Sequence, residues 1–356
     1  MRRRYYFNFR GDKLPKKEKA KLLRIIYRCE ELIRINPDDA EAYFDCARAK
    51  DMLGDRKGAI MAYERGLKIK PEATFAWNNL GILKFEQKKF HEAINCYSKA
   101  IITNPDLMVL YFNKGNALRA IGEYQDAIAK FNHAILLNPC FAGSYYGRGE
   151  AKTRLGDYEG AIEDLSFSIK LNKSHAGSYY HRGFCKVELE EYESAIEDFD
   201  KAQALNNQLV LVYYWRGIAK TEIRNFLGAI DDCTTAIGMN PGDANAYYAR
   251  ANAKFGIGDY PGVIADNTRA LKIDPEYIEA LHNRANAKFK LGDITGAIND
   301  LDNVIKINPH FPMAFLSRGI IENENGDIES ARDDLTKAGS MGLQLAFDLL
   351  RKLDEE

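Results

Sequence analysis

The sequence predicts an all-α fold built as a row of antiparallel helical hairpins, and three observations carry that prediction. Prolines stand at 37, 71, 105, 139, 241, 275 and 309, every gap being 34 residues or, between 139 and 241, three times 34. The register then holds without insertion or deletion from Ala40 to Leu345, which is nine units. Within each unit two small residues stand twelve apart. The eighth is Gly or Ala throughout, as in Ala47, Gly81, Gly183 and Ala285, and the twentieth is Ala in eight of nine, with Val263 the exception. Small residues inside apolar stretches of period 3.6 are what two helices need where their axes approach closely.

In chain order the elements follow from local chemistry. From Lys16 to Ile35 a stripe of Leu22, Leu23, Ile26 and Ile33 predicts a helix that ends at Asn36-Pro37 and caps the array. Each unit then carries a first helix with a large residue at its fourth place, usually aromatic, as in Tyr43, Trp77 and Tyr145. A turn glycine follows in six units (Gly54, Gly122, Gly156, Gly258, Gly292, Gly326), suited to the left-handed residue that closes a helix. Acidic residues such as Asp157 and Asp259 come next and cap the second helix. Where Lys88, Glu190 and Arg224 replace the glycine, the expectation is a strained or differently capped turn without a break. The second helix stops at Asn-Pro or a near equivalent, because proline lacks an amide hydrogen and disfavours helix in the residue before it. Pro261 and Pro312 fall near a helix start, where proline is tolerated. The last stretch, MGLQLAFDLLRKLDEE, places Leu343, Ala346, Phe347, Leu350 and Leu353 on one face of a terminal capping helix. The expected organisation is a basic N-terminal segment and capping helix at 1–39, nine tandem units at 40–341, and a C-terminal capping helix at 342–356.

Units four to nine differ from the first three. Their seventh residue is always Arg (Arg148, Arg182, Arg216, Arg250, Arg284, Arg318) and their twenty-third always Asp (Asp164, Asp198, Asp232, Asp266, Asp300, Asp334). The first three carry Cys46, Leu80 and Lys114, then Ala62, Cys96 and Lys130, at the same two places. All-or-none pairing within one chain predicts an Arg–Asp ion pair within each hairpin, repeated six times, with pairing between adjacent units as the alternative.

A 34-residue period with an aromatic, then Gly, Ala, an aromatic, Ala and Pro at these spacings resembles the tetratricopeptide repeat. The resemblance covers roughly residues 15 to 345. It implies a right-handed superhelical α-solenoid whose first helices line a concave groove that grips a peptide or a partner helix. It also implies that the second, fifth, sixth, ninth, twelfth and thirteenth residues of each unit face that groove.

On that reading the peptide-binding candidates are an aromatic ridge and two clusters of amides. The ridge is Phe112, Tyr146, Tyr180, Tyr214 and Tyr248, with Trp215 beside it. The amides are Asn78, Asn79, Asn113 and Asn116 in units two and three, and Asn252, Asn283 and Asn286 in units seven and eight. Exposed aromatics are rigid amphipathic anchors, and an Asn side chain pairs with peptide backbone through both its donor and its acceptor. A purely structural role, packing against the next helix, stands as the alternative for the ridge. The clamp that some family members use for a chaperone's C-terminal carboxylate needs Lys at the fifth place, and this fifth column holds neither Lys nor Arg.

Composition sets the remaining bounds. With 50 basic and 51 acidic residues the charge is balanced, which speaks against a nucleic-acid or membrane-surface binder. An asymmetry lies beneath this: twelve Lys or Arg oppose four acids up to Asn36, so an adaptor role for the basic N-terminus through Arg2, Arg3, Arg4, Lys16, Lys17 and Lys19 is the weaker alternative. The other reading of that leader has Tyr5, Tyr6, Phe7 and Phe9 packing against the first hairpin. No apolar run reaches the length of a membrane helix and no signal-peptide core is present, so the chain reads as cytoplasmic. Six cysteines scattered over five columns read as reduced core thiols, with no metal site. Phosphate-loop, nucleophile-elbow and zinc-protease motifs are absent, so the chain reads as a non-enzymatic scaffold for another protein or peptide, without cofactor. The alternative is a self-associating structural module, a homo-oligomer.

Overall fold

A computed structural model describes residues 14–355, so the leader's Arg2, Arg3, Arg4, Tyr5, Tyr6, Phe7 and Phe9 lie outside the described residues. Among those residues the chain consists of helices and turns: a first helix, Lys16–Ile35, then nine hairpins and a last helix, Gln344–Glu355. The chain divides into two compact parts. The first, ending at Lys173, holds the initial helix and hairpins 1 to 4 (40–69, 74–103, 108–137, 142–171). The second, from Ser174, holds hairpins 5 to 9 (176–205, 210–239, 244–273, 278–307, 312–340) and the final helix. No helix among the described residues is long and apolar enough to cross a membrane.

Three residues join the helices of a hairpin, which leaves them no choice but to pack side by side and antiparallel. The turn is the same nine times. In the first, Gly54 takes φ +87° and the Asp55 amide donates back to the Lys50 carbonyl at 2.9 Å, closing the helix end. Lys88, Glu190 and Arg224 are forced into the same left-handed conformation at φ 61°, and the closing bond still forms at 3.0, 2.8 and 2.8 Å. The strain is therefore borne and the turn does not change. The next residue caps the second helix where it can: Asp55, Asp157, Asn225, Asp259, Asp293 and Asp327 each accept a backbone N–H three residues on. At the far end Asn36, Asn138, Asn206, Asp274 and Asn308 each accept from the amide two residues later, which fixes the turn around the neighbouring proline or its substitute. Pro261 and Pro312 occupy the first turn of their helices.

The small residue at the eighth place faces a large side chain at the twenty-fourth. A Cβ on Gly81 would lie 2.6 Å from the Tyr97 ring, on Gly115 2.8 Å from Phe131, and on Gly183 2.9 Å from Phe199. Tyr63, Tyr97, Phe131, Leu165, Phe199, Leu301 and Leu335 are all fully buried at this place. They are the core of their hairpins. Asn267 alone is polar there. It is buried, its Nδ2 donates to the Val263 carbonyl at 3.1 Å, and its Oδ1 has no partner. Five thiols are buried as expected, but Cys140 is exposed because it lies in the turn after Pro139, outside any helix.

The terminal helices pack on one side. In the first, Leu22 and Cys29 are buried, but Leu23 is 53% exposed, so the stripe is narrower than its sequence suggests because a single neighbouring helix covers it. In the last, Ala346 is buried and Leu343, Leu349 and Leu350 pack on Phe315, Leu335 and Ala338. Phe347 is rotated half outward, its ring against Gly339.

Candidate functional site

Every first helix has two faces with different work. Its seventh and eleventh residues point one way, and at 100° per residue the fifth and ninth point roughly the opposite way.

On the first of these faces the six predicted ion pairs all form. In hairpin 6, Arg216 Nε and Nη2 donate to the two oxygens of Asp232 at 2.8 and 2.5 Å, with both residues buried. The same two-pronged contact joins Arg148 to Asp164, Arg182 to Asp198, Arg250 to Asp266, Arg284 to Asp300 and Arg318 to Asp334. Sequence reasoning missed three more partners of this slot. A lysine at the eleventh place shares the carboxylate in five hairpins, Lys152, Lys186, Lys220, Lys254 and Lys288 lying 2.7 to 3.0 Å from the Asp. In five of the six, hairpin 8 with Leu281 being the exception, the guanidinium also lies over the aromatic ring three residues before it, as Arg216 does over Tyr213 at 5.6 Å. Finally its Nη1 reaches back to the twenty-fifth residue of the preceding hairpin: Arg148 to Asn132, Arg216 to Asp200, Arg250 to Thr234, Arg284 to Thr268 and Arg318 to Asp302. The lysine column was legible as a repeat, since it stands at the eleventh place of seven of the nine units, but it does not follow the Arg, so its partner was not. The ring and the reach-back need coordinates.

Hairpin 9 breaks the lysine column with Glu322, whose Oε2 is buried without a hydrogen-bond partner. Burial first, and the Asp334 carboxylate second, push its carboxyl up to about 7 against the pull of Arg318.

On the opposite face the two parts of the chain differ. In residues 14–173 the asparagines are tied to one another. Asn113 Nδ2 donates to Asn78 Oδ1 at 2.9 Å, Asn78 Nδ2 to Asn79 Oδ1 at 3.4 Å, and Asn79 Nδ2 to the Tyr63 hydroxyl at 3.1 Å. Asn78 is 2% exposed, so this relay links hairpins 1, 2 and 3 internally and leaves Asn116, half-buried, as the amide outside it. Phe112 meets Phe141 edge-on at 5.0 Å, and Tyr146 is half-buried. Arg119 Nη1 bonds Glu150 Oε1 at 2.5 Å, joining hairpins 3 and 4 across the same face.

In residues 174–355 that face is aromatic. Phe184 and Tyr214 each meet the Trp215 ring edge-on, at 4.8 and 5.1 Å, and Tyr180 meets His181 at 4.8 Å. All five are half-buried, with Leu211 exposed alongside. Burial pushes the Tyr214 phenol up to about 12. Further on, Tyr248 packs on Tyr277 at 5.2 Å, and Asn283 Nδ2 donates to Asn252 Oδ1 at 2.7 Å, with Asn286 half-buried near them in sequence. The fifth column closes at both ends: Phe44 is fully buried and Leu316 nearly so.

The chemistry this face offers is therefore apolar contact and amide hydrogen bonding, with the Arg119–Glu150 ion pair beside them in the first part. Among the described residues no group of three or more His, Cys, Asp or Glu side chains could hold a metal ion. Burial pushes the Cys96 thiol up to about 11 and Cys233 to about 12, which withholds the thiolate a nucleophile needs.

Family models described as "Tetratricopeptide repeat" match residues 74–107, 142–175, 176–209 and 282–339, and one described as "TPR repeat" matches 115–156. No curated protein matches the chain. Among solved structures it is similar to a tetratricopeptide repeat protein from Parabacteroides merdae (20% identity, 70% of this chain and 99% of that one, TM-score 0.54). It is also similar to Pseudomonas aeruginosa pilF (16%, 61% and 98%, 0.54) and to the APC/C hetero-tetramer Cut9-Hcn1 (12%, 95% and 94%, 0.52). At these identities the likeness is one of fold.

Proposed function

The chain belongs to the tetratricopeptide repeat family, and from that premise we propose that it is a non-enzymatic interaction scaffold holding an extended peptide or a partner helix against the first helices of its hairpins. The observation that carries this reading is the half-buried aromatic face of hairpins 5 and 6, where Tyr180 meets His181 and where Phe184 and Tyr214 both meet Trp215. Rings held by their neighbours lose little freedom on binding, and Trp and Tyr are the residues that most often dominate an interface. The amide pair Asn252–Asn283 and the amides of Asn116 and Asn286 supply sequence-independent bonds to peptide backbone. The relay of Asn78, Asn79 and Asn113 is already spent on its own neighbours, so in the first part it sets the shape of the face and Phe112, Tyr146 and Asn116 do the touching.

The test is affinity isolation of partners from the native cell with wild-type protein and with Tyr214→Ala/Trp215→Ala. Capture that drops at least about tenfold in the variant, with unchanged helical circular dichroism, supports the reading. Equal capture by both proteins sinks it. A second reading, self-association, draws on the first helix, where Leu23, Tyr27 and Ile35 are 53%, 69% and 78% exposed. Light scattering across a concentration series decides it: a constant monomer mass removes that reading.

A further inference from the structure

The third hairpin breaks the rule of the Arg–Asp slot in a specific way. Its seventh residue is Lys114 and its twenty-third is Lys130, so two cations stand where hairpins 4 to 9 set a cation against a carboxylate. Hairpins 1 and 2 leave the slot uncharged at both places, with Cys46 and Ala62, then Leu80 and Cys96. Hairpin 3 has Leu118 at the eleventh place, where a lysine stands in five of the later hairpins. Both Lys114 and Lys130 are half-buried, and among the described residues neither makes a hydrogen bond or an ion pair. The charged groups that act on Lys114 are Lys130 and, in the opposite sense, Asp126 one turn earlier on the same helix as Lys130. Two half-buried ammonium groups at paired places, neither of them in an ion pair, are an arrangement a folded chain has reason to avoid unless something anionic joins them.

We propose that hairpin 3 holds an external carboxylate between Lys114 and Lys130, at the place where the six later hairpins hold the side chain of their own Asp. The stereochemistry has a template in the same chain. In hairpin 6 one carboxylate bridges cations from two places of the first helix, Arg216 and Lys220, at 2.5 and 2.7 Å. In hairpin 3 the two cations come from opposite helices and the carboxylate comes from outside. Lys114 already shows the want of an anion: burial first, and Lys130 second, pull its ammonium below the usual lysine range. Because the seventh place lies across the helix from the fifth and ninth, the site does not depend on the peptide-binding reading and would be occupied by an acidic side chain or a chain terminus approaching from the other side.

The experiment is a thermal melt of the full chain in sodium acetate against sodium chloride at equal ionic strength, for wild type, Lys130→Met and Lys130→Asp. Wild type gains stability in acetate over chloride. Lys130→Met weakens half-saturation by acetate about tenfold, the loss of one charge-assisted bond. Lys130→Asp supplies the missing carboxylate from within, so it melts higher than wild type in chloride and gains nothing from acetate. A glutamate-containing hexapeptide and inorganic phosphate are run beside acetate. A gain from the peptide places the ligand on a partner chain, whereas a gain from phosphate larger than from acetate overturns the carboxylate assignment. An equal acetate effect in wild type and Lys130→Met, or none in wild type, overturns the site. Should Lys130→Asp fail to fold, the Lys130→Met comparison decides alone.

Discussion

Hairpins 1 and 2 and hairpins 4 to 9 have the same turn and the same small-against-large core contact, yet only the later six carry a buried Arg–Asp slot. Phe44, Tyr63 and Leu83 fill the early core as fully as Phe199, Leu301 and Leu335 fill the later one. The backbone therefore does not need the ion pair. Where hairpin 2 reaches the twenty-fifth residue of the hairpin before it with Lys84 on Glu64, the later hairpins do so with Nη1 of a guanidinium already fixed on its own Asp. Apolar columns make each hairpin, and the guanidinium ties it to the one before.

The largest break in that comparison comes from Asp232→Ala. It takes from the buried Arg216 and from Lys220 the carboxylate they share, leaving Arg216 only Asp200 and Gln203, and should destabilise by about 3–5 kcal/mol. Cys96→Ala, the same place in hairpin 2, should cost about 1 kcal/mol, the loss of a small buried group. Denaturant melts of the two variants check the contrast, and equal losses would deny the slot its role.

Next is Asn267→Leu. The branched skeleton is kept, an unpartnered buried carbonyl oxygen is removed, and the twenty-fourth place of hairpin 7 becomes apolar as in hairpins 4, 8 and 9. A gain of about 1–3 kcal/mol is expected in the same melts.

Glu322→Lys would give hairpin 9 the lysine its neighbours have, with a gain on the order of 1 kcal/mol at pH 8. The wild-type carboxyl lies near 7, above its unfolded value of 4.5, so the folded chain holds that proton more tightly. Its contribution is intact below pH 4.5 and lost as pH rises toward 7 and beyond. The difference in melting temperature between variant and wild type should therefore widen over that window, and a difference independent of pH would refute the assignment. The smallest effect is Arg224→Gly, which relieves a left-handed turn at φ 61° and should stabilise by about 0.5–1 kcal/mol, net of the freedom glycine adds to the unfolded chain.

Much of this was legible before any coordinates. The 34-residue beat fixed the hairpins, the missing glycines at Lys88, Glu190 and Arg224 marked the strained turns, and the co-occurrence of Arg and Asp named their contact, because each is a column property repeated within one chain. The interaction face was less legible for the opposite reason. Its residues vary from hairpin to hairpin, so nothing repeats to be averaged. Asn78 and Asn116 look alike in sequence, but one is buried in a relay to Asn113 and Asn79 while the other stands outside it. Which of two identical side chains is spent internally depends on what the adjacent helix offers, here the hydroxyl of Tyr63 sixteen residues before Asn79.

The backward grip of the guanidinium bears on how the array comes apart. A linear stack loses structure by fraying inward, one member at a time, and the cost of each step is the bond to the next member. Hairpins 1 to 3 are joined by Lys84 on Glu64, Arg56 on Glu86 and the amide relay, with no guanidinium in the slot, while hairpin 3 is held to the member that follows it by Arg148 on Asn132, a guanidinium already locked on its own Asp. Hydrogen exchange read along the sequence should show a step at that point, with amides before it opening in fast succession and those after it waiting on a rarer event.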